Sequence, residues 1–148
     1  IGRRSCLEIA AGDGTLARFL RDCGVSVQAT DDYSWSQAVT YPEEVEKLDA
    51  KQALSRYQPQ VVLCSWPPPG NNFERHVFNT GSVETYIVIG SSYKFLSSSW
   101  ETYTAQNKFT YEVSARLSRY VLPPEIESAV IIFQRSGQKN SSNSSPVP

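Results

Sequence analysis

The sequence predicts an α/β fold: a mostly parallel sheet flanked by helices and finished by an antiparallel β-hairpin. Three observations carry this expectation. Short apolar runs alternate with segments of helical period from residue 5 onward, the pattern of strand–helix–strand units. The run at 60–64 is almost purely apolar, which suits a strand covered on both faces. Polar or glycine-bearing turns (Gly12-Asp13-Gly14, Asp31-Asp32, Asp49-Ala50, Ser65-Trp66, Gly90-Ser91-Ser92) each follow an expected strand, where ligands of open α/β sheets bind.

In chain order, 5–10 reads as the first strand. Leu16, Phe19, Leu20 and Cys23 then recur at helical spacing and are expected to form a buried face. Gly24 stops that helix in the position where a left-handed residue is favoured. A second strand spans 25–30. Residues 33–44 are irregular and aromatic, 45–48 reads as a short third strand, and KQALSRY as a brief helix. The fourth strand, 60–64, runs into SWPPPGNN, where three prolines forbid helix and central strand alike. A fifth strand covers 85–90 and a weak helix 97–108. Segments 111–121 and 128–135 are expected as strands around LPPEIE. Residues 1–136 form the expected domain and 137–148 a polar, disordered tail, whose N-x-S sequons at Asn140 and Asn143 carry little weight.

Composition bounds the function. A chain of 148 residues with 40% hydrophobic content is long enough for one real core. A net charge of −1 and a pI near 5.9 advertise no basic face, so nucleic acid is an unlikely partner, and no apolar run reaches the roughly 18 residues of a membrane span. Cys6, Cys23 and Cys64 lie far apart in apolar runs and read as small buried hydrophobes in a reducing compartment. With a single histidine, no metal is expected. Cytoplasmic placement, or nuclear, follows as the expectation. The chain begins at Ile1 and holds no methionine, so it is expected to be a piece of a longer protein. The sequence says nothing of oligomeric state.

Gly12-Asp13-Gly14-Thr15-Leu16-Ala17 fits G-x-G-x-x-A, and Asp31 lies 19 residues after Gly12, a spacing suited to a carboxylate on ribose hydroxyls. The plainer reading of Gly-Asp-Gly is a tight turn. Glu8 weighs between ligands. A carboxylate inside a buried strand costs several kcal/mol, roughly, unless it is paired, and Glu8 with Asp13 would repel a pyrophosphate at the helix start. A cofactor without phosphate and with positive charge suits the loop better.

The segment LEIAAGDGTLA resembles the first motif, E/D-x-x-x-G-x-G, of the Rossmann-like S-adenosylmethionine-dependent methyltransferases. VSVQATD and KLDAKQAL resemble the family's second and third motifs in the right order. The resemblance covers about 5–135 and implies a seven-stranded sheet, S-adenosylmethionine as cofactor, and a site assembled residue by residue. Glu8, Gly12 and Gly14 would shape the loop at the cofactor's amino-acid end, with backbone from Asp13 and from Ala10 or Ala11. Asp31, shared or replaced by Asp32, would hold the ribose. Asp49 and the Ala50 amide would meet the adenine. The helices that usually cover the cofactor at the N-terminal side are missing from this sequence.

The resemblance also puts VVLCSWPPPG where the family's loop faces the methyl group, with Ser65 at the cofactor's edge. That loop partly matches the D/N-P-P-Y/F/W pattern of amino-methylating members. Ser65 fits the polar position only if Trp66 is tolerated before the prolines, and no aromatic follows them. Catalytic candidates are Ser65, Trp66 (stacking, or simple packing) and His76, whose ordinary pKa suits a base but whose first reading is a solvent-facing residue on a short helix. Tyr33, Trp35 and Tyr41 form either an aromatic lid or a packed loop. The acceptor is expected to be a small molecule or a protein, with an N- or O-nucleophile. A catalytically silent binding or scaffold domain is the alternative. An NAD(P)-dependent oxidoreductase is disfavoured by Glu8, Asp13 and the lack of a Tyr-x-x-x-Lys pair.

Overall fold

A computed structural model describes residues 1–137; the tail and its sequons from 138 on lie outside the described residues. Seven strands make one sheet: β1 (Cys6–Glu8), β2 (Val27–Asp31), β3 (Val45–Lys47), β4 (Val61–Ser65), β5 (Thr85–Ser91), β6 (Phe109–Val113) and β7 (Ser128–Arg135), in the order β3-β2-β1-β4-β5-β7-β6. Pairs from β3 through β5 are parallel, and β7 pairs antiparallel with both β5 and β6. The chain runs outward from β1 to β3 and then returns to β4 on β1's other side. That reversal opens a crevice above the carboxyl ends of β1 and β4.

Helices α1 (Thr15–Asp22), α2 (Ala50–Tyr57), α3 (Glu74–Asn79), α4 (Trp100–Ala105) and α5 (Ala115–Ser118) complete the fold. Each begins or ends for a local reason. Gly24 at φ 80° lets its own N–H reach the Arg21 carbonyl and that of Val25 reach Leu20, the paired C-terminal bonds that close a helix. Asp49 accepts from the Gln52 amide at 2.8 Å while Gln52 accepts from the Asp49 amide at 3.2 Å, a reciprocal cap that starts α2.

Two cores sandwich the sheet. Leu54 of α2, Val77 and Phe78 of α3 and Tyr103 of α4 pack on one face with Val62, Tyr86 and Phe133. Phe78 stands edge-on to Tyr86, Tyr103, Phe109 and Phe133, the favoured aromatic geometry. The other face is covered by α1 through Ala17 and Leu20, and by Tyr33 and Tyr41 of the irregular loop.

Two expectations are corrected. Segment 111–121 is not one strand: β6 ends at Val113, Ser114 caps α5 by accepting from the Leu117 amide, and the chain crosses back to β7 through a short 3-10 turn. The buried face of α1 is not the one read from Leu16, Phe19 and Cys23. Ala17 is the buried residue, and Phe19 and Cys23 are exposed. The small Ala17 side chain lets the helix lie close on β1, and its amide donates to the Glu8 carboxylate. Cys6 and Cys64 are buried as expected. No helix among the described residues is long and apolar enough to cross a membrane.

Candidate functional site

A cavity of about 490 Å³ lies over the carboxyl ends of β1, β2, β3 and β4. Ala10 and Gly12 line it from the loop after β1, Asp31, Asp32, Trp35 and Tyr41 from the segment after β2, Asp49 and Ala50 after β3, and Ser65, Trp66, Phe73 and His76 after β4. The residues read from separate stretches of sequence therefore share one site. Glu8, Asp13 and Gly14 do not line it; they build the loop from behind.

The glycine loop has a specific construction. Ala10, Gly12 and Gly14 have φ of 49°, 56° and 71°, a tight left-handed fold. The Gly12 amide donates to Asp31 Oδ2 at 2.9 Å, Gly14 to the Ala11 carbonyl at 2.9 Å, and Thr15 to Asp13 Oδ1 at 3.0 Å. Asp13 is thus a helix-starting turn residue, and its bonds to Thr15 hold its carboxyl below the usual range. A Cβ on Gly14 would lie 2.6 Å from the Val45 side chain, whereas one on Gly12 would meet no protein atom within 4 Å. Gly14→Ala is expected to cost about 3 kcal/mol in urea unfolding, from left-handed strain and displacement of buried Val45. Gly12→Ala carries the strain alone, about 1–2 kcal/mol; an equal loss from the two variants would refute this reading of the loop.

Glu8 is 1% exposed, and its Oε2 has no hydrogen-bond partner among the described residues. Burial pushes its carboxyl up to about 7, against the lowering effects of the Ala17 amide and Arg21 and with a smaller push from Asp13. An orphaned carboxylate oxygen beneath a bare glycine loop fits a ligand's ammonium group, reached directly or through water. Asp31 is 8% exposed and bonds the amides of Gly12 and Tyr33 through different oxygens; the Tyr41 hydroxyl bonds it as well, and the carboxylate's remaining lone pair can accept from a hydroxyl donor. Asp32 is exposed and accepts from the Ser34 amide.

Among the candidate lid residues, Trp35 and Tyr41 line the cavity and Tyr33 does not. Tyr33 stacks on Tyr41 at 3.9 Å and donates to the Val45 carbonyl, so it backs the wall rather than closing it. Asp49, expected at the adenine amine, spends one oxygen on its cap. His76 lines the cavity, its pKa lowered by burial and by Arg75 and Lys51.

Trp66 has φ 52° and donates its amide to the Ile89 carbonyl at 2.6 Å. The Pro67 carbonyl accepts from Ser98, and the Pro68 carbonyl from Asn71. The Ser65 hydroxyl has no partner among the described residues. Residues that the sequence did not single out include Lys51, Arg75 and Phe73 of the lining. So too was Glu74, wholly buried. Its spacing to Val77 and Phe78 on α3 places it on the apolar stripe, a signal present in the sequence but unread.

No family model matches the chain, and no curated protein matches it. Solved structures do. Magnesium protoporphyrin IX methyltransferase from Synechocystis PCC 6803 with bound SAM superposes with a TM-score of 0.58 at 13% identity, over 90% of this chain and 70% of that one. A mutant of Spodoptera frugiperda DNMT2 gives 0.52 at 12%, over 89% and 50%. The fold is that of the Rossmann-like class I methyltransferases. Human N-acetylserotonin methyltransferase in complex with SAM agrees, with a TM-score of 0.50 at 8% identity over 89% of this chain and 47% of that one. The chain spans half the length of the DNMT2 structure it matches.

Proposed function

We propose that the chain binds S-adenosylmethionine in this cavity and transfers its methyl group to a small-molecule or protein acceptor presented at the 65–70 loop. The observation that carries the reading is the convergence of Gly12, Asp31, Asp49-Ala50 and Ser65 on one cavity, with the orphaned Glu8 oxygen beneath its glycine end. When bound, the cofactor supplies a methyl group already activated on a sulfonium. The chain's part is orientation and proximity. Asp31 accepts from a ribose hydroxyl, the Ala50 amide meets the adenine edge, and Glu8 balances the ammonium charge. Ser65, free to donate or accept, lies at the acceptor's end of the cavity. His76, on the cavity lining, is the base for an N- or O-nucleophile that must lose a proton.

One observation favours a second reading, a domain that binds the cofactor without turnover. The Pro68 carbonyl is already met twice, by the amide and side chain of Asn71, and the Pro67 carbonyl once, by the Ser98 amide, which leaves these two carbonyls one lone pair between them for a target nitrogen. The test is thermal unfolding with S-adenosylhomocysteine, with a nicotinamide dinucleotide, and with neither. Ligand at 100 times its Kd adds about 2.7 kcal/mol and raises the melting point by about 5–10 °C. A shift with S-adenosylhomocysteine alone is expected, and transfer of labelled methyl then separates the two readings. No shift at saturation would sink both.

A further inference from the structure

We infer that Glu74 is a positioning residue: it holds the 65–70 loop, which borders the cavity, against the loop that follows β5. The positioning stands on the bonds below; its consequence for methyl transfer rests on the reading of the cavity given above.

Glu74 opens α3 and is 0% exposed. A carboxylate taken fully out of water is costly unless every lone pair is met, and this one has four donors. Its Oε1 faces the core, accepting from the hydroxyls of Tyr86, at 2.6 Å, and Tyr103. Burial first, and the Glu74 charge second, push both hydroxyls up, so they remain protonated donors. Its Oε2 faces the loops, accepting from Asn71 Nδ2 at 2.6 Å and from the Ser99 amide at 2.7 Å.

Asn71 follows the 65–70 loop, which lines the cavity through Ser65, Trp66 and Pro68, and Ser99 ends the loop after β5, which packs behind it. Asn71 shares its Nδ2 with the Pro68 carbonyl at 2.9 Å, and its Oδ1 accepts from the Glu74 amide at 3.1 Å. Next to Ser99, Ser98 donates to the Pro67 carbonyl at 2.9 Å and accepts from the Gly70 amide at 3.0 Å. One carboxylate oxygen thus clamps both segments at their junction, while the other anchors the clamp in the aromatic core.

The loop needs such a clamp. Trp66 occupies the left-handed region, which costs a non-glycine residue about 1–2 kcal/mol and persists only where the surroundings over-determine it. Three prolines in the loop supply no amide of their own to hold it. For stability alone, apolar side chains in place of the whole buried network would serve as well. What the carboxylate adds is a directional hold on two polar loop segments.

The layout separates positioning from plain stability. Tyr86→Phe removes a donor on the core side and has no bond to either loop; Asn71→Ala cuts the loop side and leaves both tyrosine bonds. A protein carrying Trp35→Phe and Trp100→Phe retains Trp66 as its only tryptophan, and acrylamide quenching then reports on that residue with no ligand present. Asn71→Ala is expected to raise the Trp66 quenching constant and to weaken S-adenosylhomocysteine binding about tenfold, the worth of one charge-assisted bond. Tyr86→Phe is expected to lower the melting point while leaving Trp66 quenching as in the parent. Glu74→Gln, whose amide cannot accept on both sides, should produce both effects.

Unchanged quenching in Asn71→Ala, or quenching in Tyr86→Phe that rises in step with its lost stability, would overturn the assignment. Absence of S-adenosylhomocysteine binding in the parent would instead remove the cofactor reading, and the quenching comparison would still decide the role of Glu74.

Discussion

In the ligand-free chain, Glu8→Gln is expected to raise the melting point at pH 8 and to leave it nearly unchanged at pH 5. Glu8 has its carboxyl pushed up from 4.5 to about 7, chiefly by burial. The folded state therefore keeps a proton, between pH 4.5 and 7, that the unfolded chain has released. Stability contributed by that proton is fully present below the lower value and is lost as pH rises through the upper one. Above pH 7 the loss amounts to about 3 kcal/mol, or about 5–10 °C in a domain of this size. Glutamine keeps the shape and cannot ionise, so the variant escapes the loss. The same variant should bind S-adenosylhomocysteine more weakly, since the ligand's ammonium would meet no charge. Wild-type binding near pH 7 should release a proton, visible as a dependence of calorimetric heat on the buffer's ionisation enthalpy. Melting curves of the two proteins that run parallel from pH 5 to 8 would defeat the argument. A site residue whose removal stabilises the empty protein has function, rather than folding, as its reason for being there.

The sheet was legible because its signals are local and repeated. Apolar runs of strand length, ended by glycine or aspartate, place β1, β2, β4 and β5 within two residues of where the chain forms them. The cap at Asp49 and Gln52 and the stop at Gly24 can be read from residue type alone. Strand ends that share one crevice also made most of the cavity legible, since topology brings Gly12, Asp31, Ala50 and Ser65 together once the order of strands is known. The misreadings have a common physical origin. Phe19 reads as core by hydrophobicity, yet Ala17 is buried because the helix must approach β1 closely enough for its amide to reach Glu8. Segment 111–121 has strand composition throughout, but the Ser114 cap turns the chain after Val113. Glu74 was passed over because a glutamate among polar neighbours reads as surface, and its four donors come from positions as far away as Tyr103. Pairings across the fold of this kind leave no trace in a window of sequence.

Asp31→Asn is expected to be as damaging as Asp31→Ala, although it changes only one atom. Both oxygens of Asp31 accept from backbone amides, Oδ2 from Gly12 at 2.9 Å and Oδ1 from Tyr33 at 2.8 Å, in a position only 8% exposed. An asparagine offers one acceptor and one donor, so in either orientation its NH₂ opposes an amide N–H that has no other partner. Bonds to a charged group are worth about 1.5–3 kcal/mol each, and losing one while burying a mismatched donor should cost about 3 kcal/mol in urea unfolding. Alanine removes both bonds but leaves room for water. The glycine loop hangs from one of these bonds and the aromatic wall from the other. Both variants should therefore weaken S-adenosylhomocysteine binding about 100-fold, beyond the loss of the ribose contact itself. Neighbouring Asp32 is the control. It is exposed and caps only the Ser34 amide, so Asp32→Ala should cost less than about 1 kcal/mol. Equal losses of affinity in Asp31→Asn and Asp32→Ala would mean that the two carboxylates share the ribose. A large loss confined to Asp31 assigns to one side chain both the hold on the cofactor and the folding of the loop that receives it.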